Sequence, residues 1–279
     1  MIQKSYDDSA SLYLIPTPIG NLEDITIRAL NVLKQVDLIL CEDTRETGKL
    51  LSKYDIKKKL VSCHEFNEGK VKTYVVDELK KGLNIGLVTD QGTPIISDPG
   101  YVVVKEVICC GFNVISLPGA TAFVPALTCS GIEPAPFLFY GFLNSKSSKR
   151  KKELELLKSL KYTMIFYESP HRIKDTLIEM LEIFGDRKVT IHREISKIHE
   201  EVCRGSVESL IPIVETLKGE FVMVVEGNHE VVNYNELSII EHVKLYLDDD
   251  MSEKEAIKLV AKERGLAKSI VYKEYHMNK

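Results

Sequence analysis

Between residues 87 and 100 the chain reads Leu-Val-Thr-Asp-Gln-Gly-Thr-Pro-Ile-Ile-Ser-Asp-Pro-Gly. Asp90, Thr93, Ser97 and Asp98 offer oxygen atoms to a ligand. Gly92 and Gly100 permit close backbone approach or a positive φ. Pro94 and Pro99 stiffen the stretch, so little entropy is lost on binding. A plainer reading is a connector whose Asp and Ser cap the next helix. The density of special residues favours a ligand loop. Similar loops follow other apolar runs, at 16–21, 42–45, 118–121 and 168–169. Together they predict a deep cleft for a ligand with polar and apolar parts, without naming it.

Several chemistries are excluded by spacing. No two glycines stand as GxG, and there is neither GxxxxGK[ST] nor GxSxG. The seven histidines and six cysteines show no HExxH or CxxC pattern, so no metal is expected.

The residues around these loops set the architecture. Residues 12–15, 38–41, 60–63, 85–89 and 114–117 read as strands. Helical patterns separate them, such as Ile27, Leu30 and Leu33, or Val71, Val75 and Leu79. Asp24 and Thr44 are placed to cap the first two helices. This alternation predicts an α/β fold with a mostly parallel sheet, and the 89–100 loop then hangs over the carboxyl end of a strand. Pro134 and Pro136 mark a boundary. Beyond it, strands at 137–140, 163–167, 189–191, 201–204 and 221–225 predict a second, mixed sheet with helices. A cationic loop is expected around 146–152. Ser169 and Pro170 read as the N-cap and first residue of the helix carrying Ile173, Leu177, Leu181 and Phe184. Ser206 reads as the cap of a short helix. From about residue 231 the pattern is a small helical appendix, with a capping box at Ser252 and Glu255 and a break at Gly265, like a helix-turn-helix. The expected division is a tail 1–10, an α/β domain 11–132, a second α/β domain 133–230 and the appendix 231–279.

The formal net charge of −4 argues against a globally basic nucleic-acid binder but leaves room for local patches. No apolar run is long enough to span a membrane and the start is polar, so a cytoplasmic protein with reduced cysteines is expected.

At its loops the chain resembles a known family. The segments are Leu-Tyr-Leu-Ile-Pro-Thr-Pro-Ile-Gly-Asn-Leu-Glu-Asp-Ile-Thr at 12–26, Cys-Glu-Asp-Thr-Arg at 41–45, the 89–100 loop, Leu-Pro-Gly-Ala at 117–120 and Phe-Tyr-Glu-Ser-Pro-His-Arg at 166–172. In this order they are similar to the bacterial ribosomal RNA small-subunit (cytidine-2′-O)-methyltransferases, class III S-adenosylmethionine-dependent enzymes of the tetrapyrrole-methylase fold. The similarity runs from about residue 12 to 227, and the helical tail is also similar. The family usually carries Ala where this chain has Gln91.

The resemblance implies two α/β domains with S-adenosylmethionine folded between them. The residues it implies at the cofactor are Pro18, Thr89, Asp90, Gly92, Thr93, Pro94, Ile95, Ser97, Pro118, Gly119, Thr121 and Tyr167. It further implies methyl transfer to a cytidine 2′-hydroxyl of small-subunit (16S) ribosomal RNA, free or in the 30S subunit, by a homodimer. A base is then needed, and Glu42, Asp43 and Arg45 are the candidate catalytic cluster; a carboxylate–arginine pair capping a helix is the equal alternative. His64 and Glu65 are secondary candidates. RNA is expected on Lys146, Lys149, Arg150, Lys151 and Lys152, together with the C-terminal helices. The competing functions are a tetrapyrrole C-methyltransferase and a non-catalytic RNA-binding protein on the same fold.

Overall fold

Five short runs form the first sheet: β1 (Ser11–Leu14), β2 (Leu38–Cys41), β3 (Lys59–Ser62), β4 (Ile85–Leu87) and β5 (Asn113–Ser116). All pair in parallel, in the order β3-β2-β4-β1-β5. Between and after them run α1 (Ile27–Gln35), α2 (Thr44–Lys53), α3 (Glu68–Lys80) and α4 (Tyr101–Cys109). Covered on both faces, β2 and β4 are buried at every position and show no polar alternation. Leu12, Leu40 and Leu87 pack against Val75, Leu79, Val103 and Val107 of α3 and α4. Ile15, Ile39 and Cys41 pack against Ala29 and Leu33 of α1. Because the strands share one direction, their following loops all emerge at one edge. The structure, a computed structural model, describes residues 3–5, 7–229, 237–248 and 251–277.

After α5 (Phe123–Ser130) comes the second sheet, with β6 (Phe137–Phe142), β7 (Thr163–Glu168), β8 (Lys188–Arg193), β9 (Glu201–Ser206) and β10 (Phe221–Val225) in the order β6-β7-β10-β8-β9. β6 and β7 are parallel and the other pairs antiparallel. Helices α6 (Ser147–Leu157), α7 (Ile173–Phe184) and α8 (Val207–Val214) complete this half. Helix α5 lies across the second sheet, with Ala126 and Leu127 against Ile165, Val222 and Val224. The proline segment 132–136 falls between the two sheets, and both sheets belong to one compact unit, Met1–Asn228.

Strand β6 carries a bulge between Phe139 and Gly141, whose φ is +81°. One extra residue reverses the alternation. Phe139 and Phe142, three positions apart, therefore reach one face, where their rings lie 5.0 and 5.5 Å from that of Tyr167.

Four local expectations are corrected. Asp24 lies in a short 3-10 turn, Leu22–Asp24, and Thr26 caps α1 by accepting the Ala29 N–H at 3.0 Å. Asp43, not Thr44, caps α2, through the Arg45 N–H. Residues 147–152 are the first turns of α6 rather than a loop. Helix α7 starts at Ile173 with Arg172 at its N-cap, because the Ser169 carbonyl already closes a turn with the N–H groups of Arg172 and Ile173. Ser206 does cap α8, in a reciprocal box with Ser209.

The second unit, His229–Lys279, contains α9 (Ile239–Asp248), α10 (Glu253–Glu263) and α11 (Lys268–Met277) among the described residues. Val243, Ala256, Ile257, Val260, Val271 and Tyr275 form its core. Gly265, at φ +62°, turns the chain between α10 and α11. The Ser252 hydroxyl donates to the Glu255 carboxylate in place of a cap bond to the helix backbone. The parts of the expected tail and appendix at 1–2, 6, 230–236, 249–250 and 278–279 lie outside the described residues. No described helix is long and apolar enough to cross a membrane.

Candidate functional site

The loops after β1 and β4 are bound to each other by protein groups alone. The Thr17 N–H donates to the Gly92 carbonyl at 2.9 Å, and the Gly92 N–H returns the bond at 3.0 Å. The Thr93 hydroxyl donates to the Ala120 carbonyl at 3.0 Å, which ties in the loop after β5. At the far end the buried carboxylate of Glu68, the first residue of α3, accepts the Gly100 N–H. It thereby caps α4, whose own N-cap glycine has no side chain. Within this frame Ile95 and Ser97 hold φ values of +77° and +66°. Left-handed backbone at a β-branched residue is rare, and such residues cluster at ligand sites.

Beneath the loop is a cavity of about 520 Å³. Asp90, Gln91, Gly92, Thr93, Ile96, Ser97 and Asp98 line one side. Thr121 and Ala122 come from the loop after β5, and Phe142, Tyr167 to Pro170 and Phe221 from the second sheet. Of the residues expected at a cofactor, Asp90, Gly92, Thr93, Ser97, Thr121 and Tyr167 face this space. Pro18, Thr89, Pro94, Ile95, Pro118 and Gly119 are not among its lining; Pro18, Thr89 and Pro94 are buried, and Gly119 packs against the Pro16 ring. Phe142, Glu168, Ser169, Pro170, Ile195 and Phe221 were not among the expected cofactor residues, nor was Asp98.

Glu168 builds the wall on the second-sheet side. Its buried carboxylate accepts the Ser169 N–H at 2.8 Å, both Arg172 Nε and Nη2 at 2.8 and 2.6 Å, and the Thr176 hydroxyl at 2.7 Å. Removing one partner of a buried pair of this kind costs about 3–5 kcal/mol.

Carboxylates crowd the edge where the first-sheet loops meet. Burial, and then the charges of Glu42 and Asp90, push Asp98 up to about 6, with the nearby Thr89 hydroxyl opposing. Burial and the nearby Asp90 raise Glu42, with His64 opposing. Asp90 is raised by burial, and the Asp43 N–H at 3.2 Å partly offsets this. Asp43 behaves differently. Arg45 grips it through Nε and Nη2 at 3.1 and 2.7 Å and holds its carboxyl far below the usual range. The trio therefore divides, with Asp43 and Arg45 forming the ion pair and helix cap, and Glu42 a half-buried carboxyl outside that pair.

The expected phosphate contacts divide too. Arg150 is 3% exposed and bonded through Nε and Nη2 to Glu179 at 2.6 and 3.0 Å, with the Ser147 hydroxyl also on that carboxylate. It fastens α6 to α7, so its expected role in holding RNA is corrected. Lys151 pairs with Glu182 at 2.6 Å. Lys146, Lys149 and Lys152 are exposed.

Residues 11–211 match the family described as Tetrapyrrole (Corrin/Porphyrin) Methylases. The chain is 48% identical over 278 residues to the "Ribosomal RNA small subunit methyltransferase I" of Bacillus subtilis (strain 168), covering 97% of this chain and 95% of that one. The protein of the same name from Haemophilus influenzae is 41% identical, with 95% and 96% covered. Among solved structures, the uroporphyrin-III-C-methyltransferase from Thermus thermophilus matches with a TM-score of 0.57 over 78% of this chain and 94% of that chain. At 19% identity this likeness shows the fold alone.

Proposed function

The chain belongs to the tetrapyrrole (corrin/porphyrin) methylase family, and from that premise we propose that it methylates the 2′-hydroxyl of a cytidine in small-subunit (16S) ribosomal RNA, using S-adenosylmethionine, as a cytoplasmic homodimer. The observation that carries this reading is the 48% identity, over nearly the whole of both chains, to a relative named for the small ribosomal subunit's RNA.

The cavity suits the cofactor. Its 520 Å³ is in the range of cofactor sites. Phe142, Tyr167 and Ile195 offer apolar walls, Thr93, Ser97 and Thr121 offer hydroxyls, and Asp90 and Asp98 offer carboxylates to a cationic ligand. When bound, the cofactor supplies a methyl group already activated on a sulfonium. The chain's residues then have two tasks. The first is alignment, which supplies roughly 7–11 kcal/mol in well-oriented reactions. The second is to take the proton from the 2′-hydroxyl, which falls to Glu42. Burial and Asp90 raise its carboxyl toward neutral pH, where a general base works best.

Asp98 makes cofactor affinity depend on pH. Its folded-state value of about 6 lies above the ordinary 3.8. The folded chain therefore holds this proton more tightly, and the stability the group contributes falls as pH rises from about 4 to 6. A cationic ligand favours the ionised form. Affinity should accordingly rise by up to roughly tenfold per pH unit below 6 and level off above it. Calorimetric titration from pH 5 to 7.5 checks this, and Asp98→Asn should flatten the profile.

RNA binding is assigned to Lys146, Lys149 and Lys152 of the α6 region. Lys149→Ala with Lys152→Ala should reduce the slope of log affinity against log salt by about 2, because each lost phosphate contact removes close to one released counterion. Arg150→Ala should instead lower thermal stability by about 3–5 kcal/mol by leaving Glu179 buried and unpaired. An unchanged salt slope in the double variant would move the RNA surface elsewhere.

The function itself is tested by incubating the protein with methyl-labelled S-adenosylmethionine and unmodified small subunits, then identifying the labelled nucleoside by mass spectrometry. Label on a base, or no label, overturns the reading.

A further inference from the structure

We propose that Phe66 is a stacking platform for a nucleobase of the RNA substrate, an inference that rests on the reading above. Phe66 sits in the turn between β3 and α3 with 93% of its surface exposed. An apolar ring this exposed is common on a frayed loop, but this turn is fastened. The His64 N–H donates to Asn67 Oδ1 at 2.8 Å, Asn67 Nδ2 donates to the Ser62 carbonyl at 3.0 Å, and the Asn67 N–H donates to the His64 carbonyl at 2.9 Å. The backbone thus holds the ring out into solvent with little freedom to fold it away.

The turn also adjoins the proposed base. β3 pairs with β2, the Cys63 N–H donates to the Cys41 carbonyl at 2.8 Å, and the Ser62 hydroxyl donates to the Glu42 carbonyl at 3.4 Å. His64, whose ring lies 6.1 Å from that of Phe66, interacts with the Glu42 carboxylate. A base lying on Phe66 would therefore leave its ribose on the Glu42 side.

The local charge favours a base over other occupants. Glu65 precedes Phe66 in the chain and Glu42 follows the strand paired with β3; both carboxylates disfavour phosphate at this turn, whereas every base has a π-face that an aromatic ring accepts. Flanked by Glu65 and Asn67, Phe66 is a single apolar side chain, far short of the area a protein interface requires.

The test compares Phe66→Ala, Phe66→Leu, Phe66→Tyr and Phe66→Trp. Affinity for unmodified small ribosomal subunits is measured by filter binding, affinity for S-adenosylmethionine by calorimetry, and folding by thermal melting. Loss of one stacked base should weaken subunit binding by about 5- to 100-fold in the Ala variant. The Leu variant should remain weak, and Tyr and Trp should restore binding. Cofactor affinity and melting should not change, since the side chain touches little of the protein. Wild-type affinity in the Ala variant, or full restoration by Leu, overturns the inference, the latter by showing that apolar bulk suffices, as at a protein contact. If the unaltered protein binds no subunits, the reading of function fails, and the inference with it.

Discussion

Glu42→Gln is expected to lower kcat by about 10²–10⁴-fold, the usual contribution of a general base. The substitution keeps the shape and half-burial of the side chain but removes its capacity to take a proton. Glu42 does not line the cavity, so the affinity for S-adenosylmethionine should be unchanged. Asp43→Asn separates the base from the helix cap. It should weaken the grip on Arg45 and lower stability while leaving most of the turnover, since Asp43 is committed to the Arg45 ion pair and the start of α2. Single-turnover rates with saturating cofactor measure the chemical step directly. Equal losses in both variants would assign Glu42 no separate role.

Gly92→Val is expected to weaken cofactor binding by roughly 100-fold or more, from two effects that act together. At φ +83° a non-glycine residue is strained by about 1–2 kcal/mol, and more if β-branched. A Cβ at this position would also lie 3.3 Å from Ile19 Cγ2 and 3.7 Å from the Ala120 carbonyl, so the valine methyls must crowd Ile19 or project into the cavity that Gly92 lines. The paired bonds between Thr17 and Gly92 are the first to give way. Calorimetry alongside a melting curve distinguishes this from global unfolding, and unchanged affinity in a folded variant would show that the loop does not hold the cofactor.

Much of this is legible in the sequence. Strands β2 and β10 begin and end where their apolar runs do, and the parallel first sheet follows from strand–helix alternation. The strand-end loops announced themselves by glycine, proline and short polar residues. What failed was choice among neighbours of similar chemistry. Asp24 and Thr26, or Asp43 and Thr44, are equally good caps by type, and backbone geometry decides between them. Ile95 gave no sign of a left-handed backbone, because its side chain argues against one. Phe142 depends on the β6 bulge, which breaks the two-residue period that sequence reading relies on. Arg150 was misread as a surface cation, yet a signal was present. It stands four residues before the buried Leu154 and so shares its face of α6.

The frame of bonds around the 89–100 loop has a consequence for how binding proceeds. Gly92 and Gly100 already have their amides engaged by Thr17 and Glu68. A wall assembled in advance gives an arriving ligand a finished surface and requires no disorder-to-order step. The heat-capacity change of cofactor binding should then reflect only the area covered, without the surplus that accompanies coupled folding. For the same reason those two amides should exchange slowly with solvent deuterium before any ligand is added, as amides of core strands do.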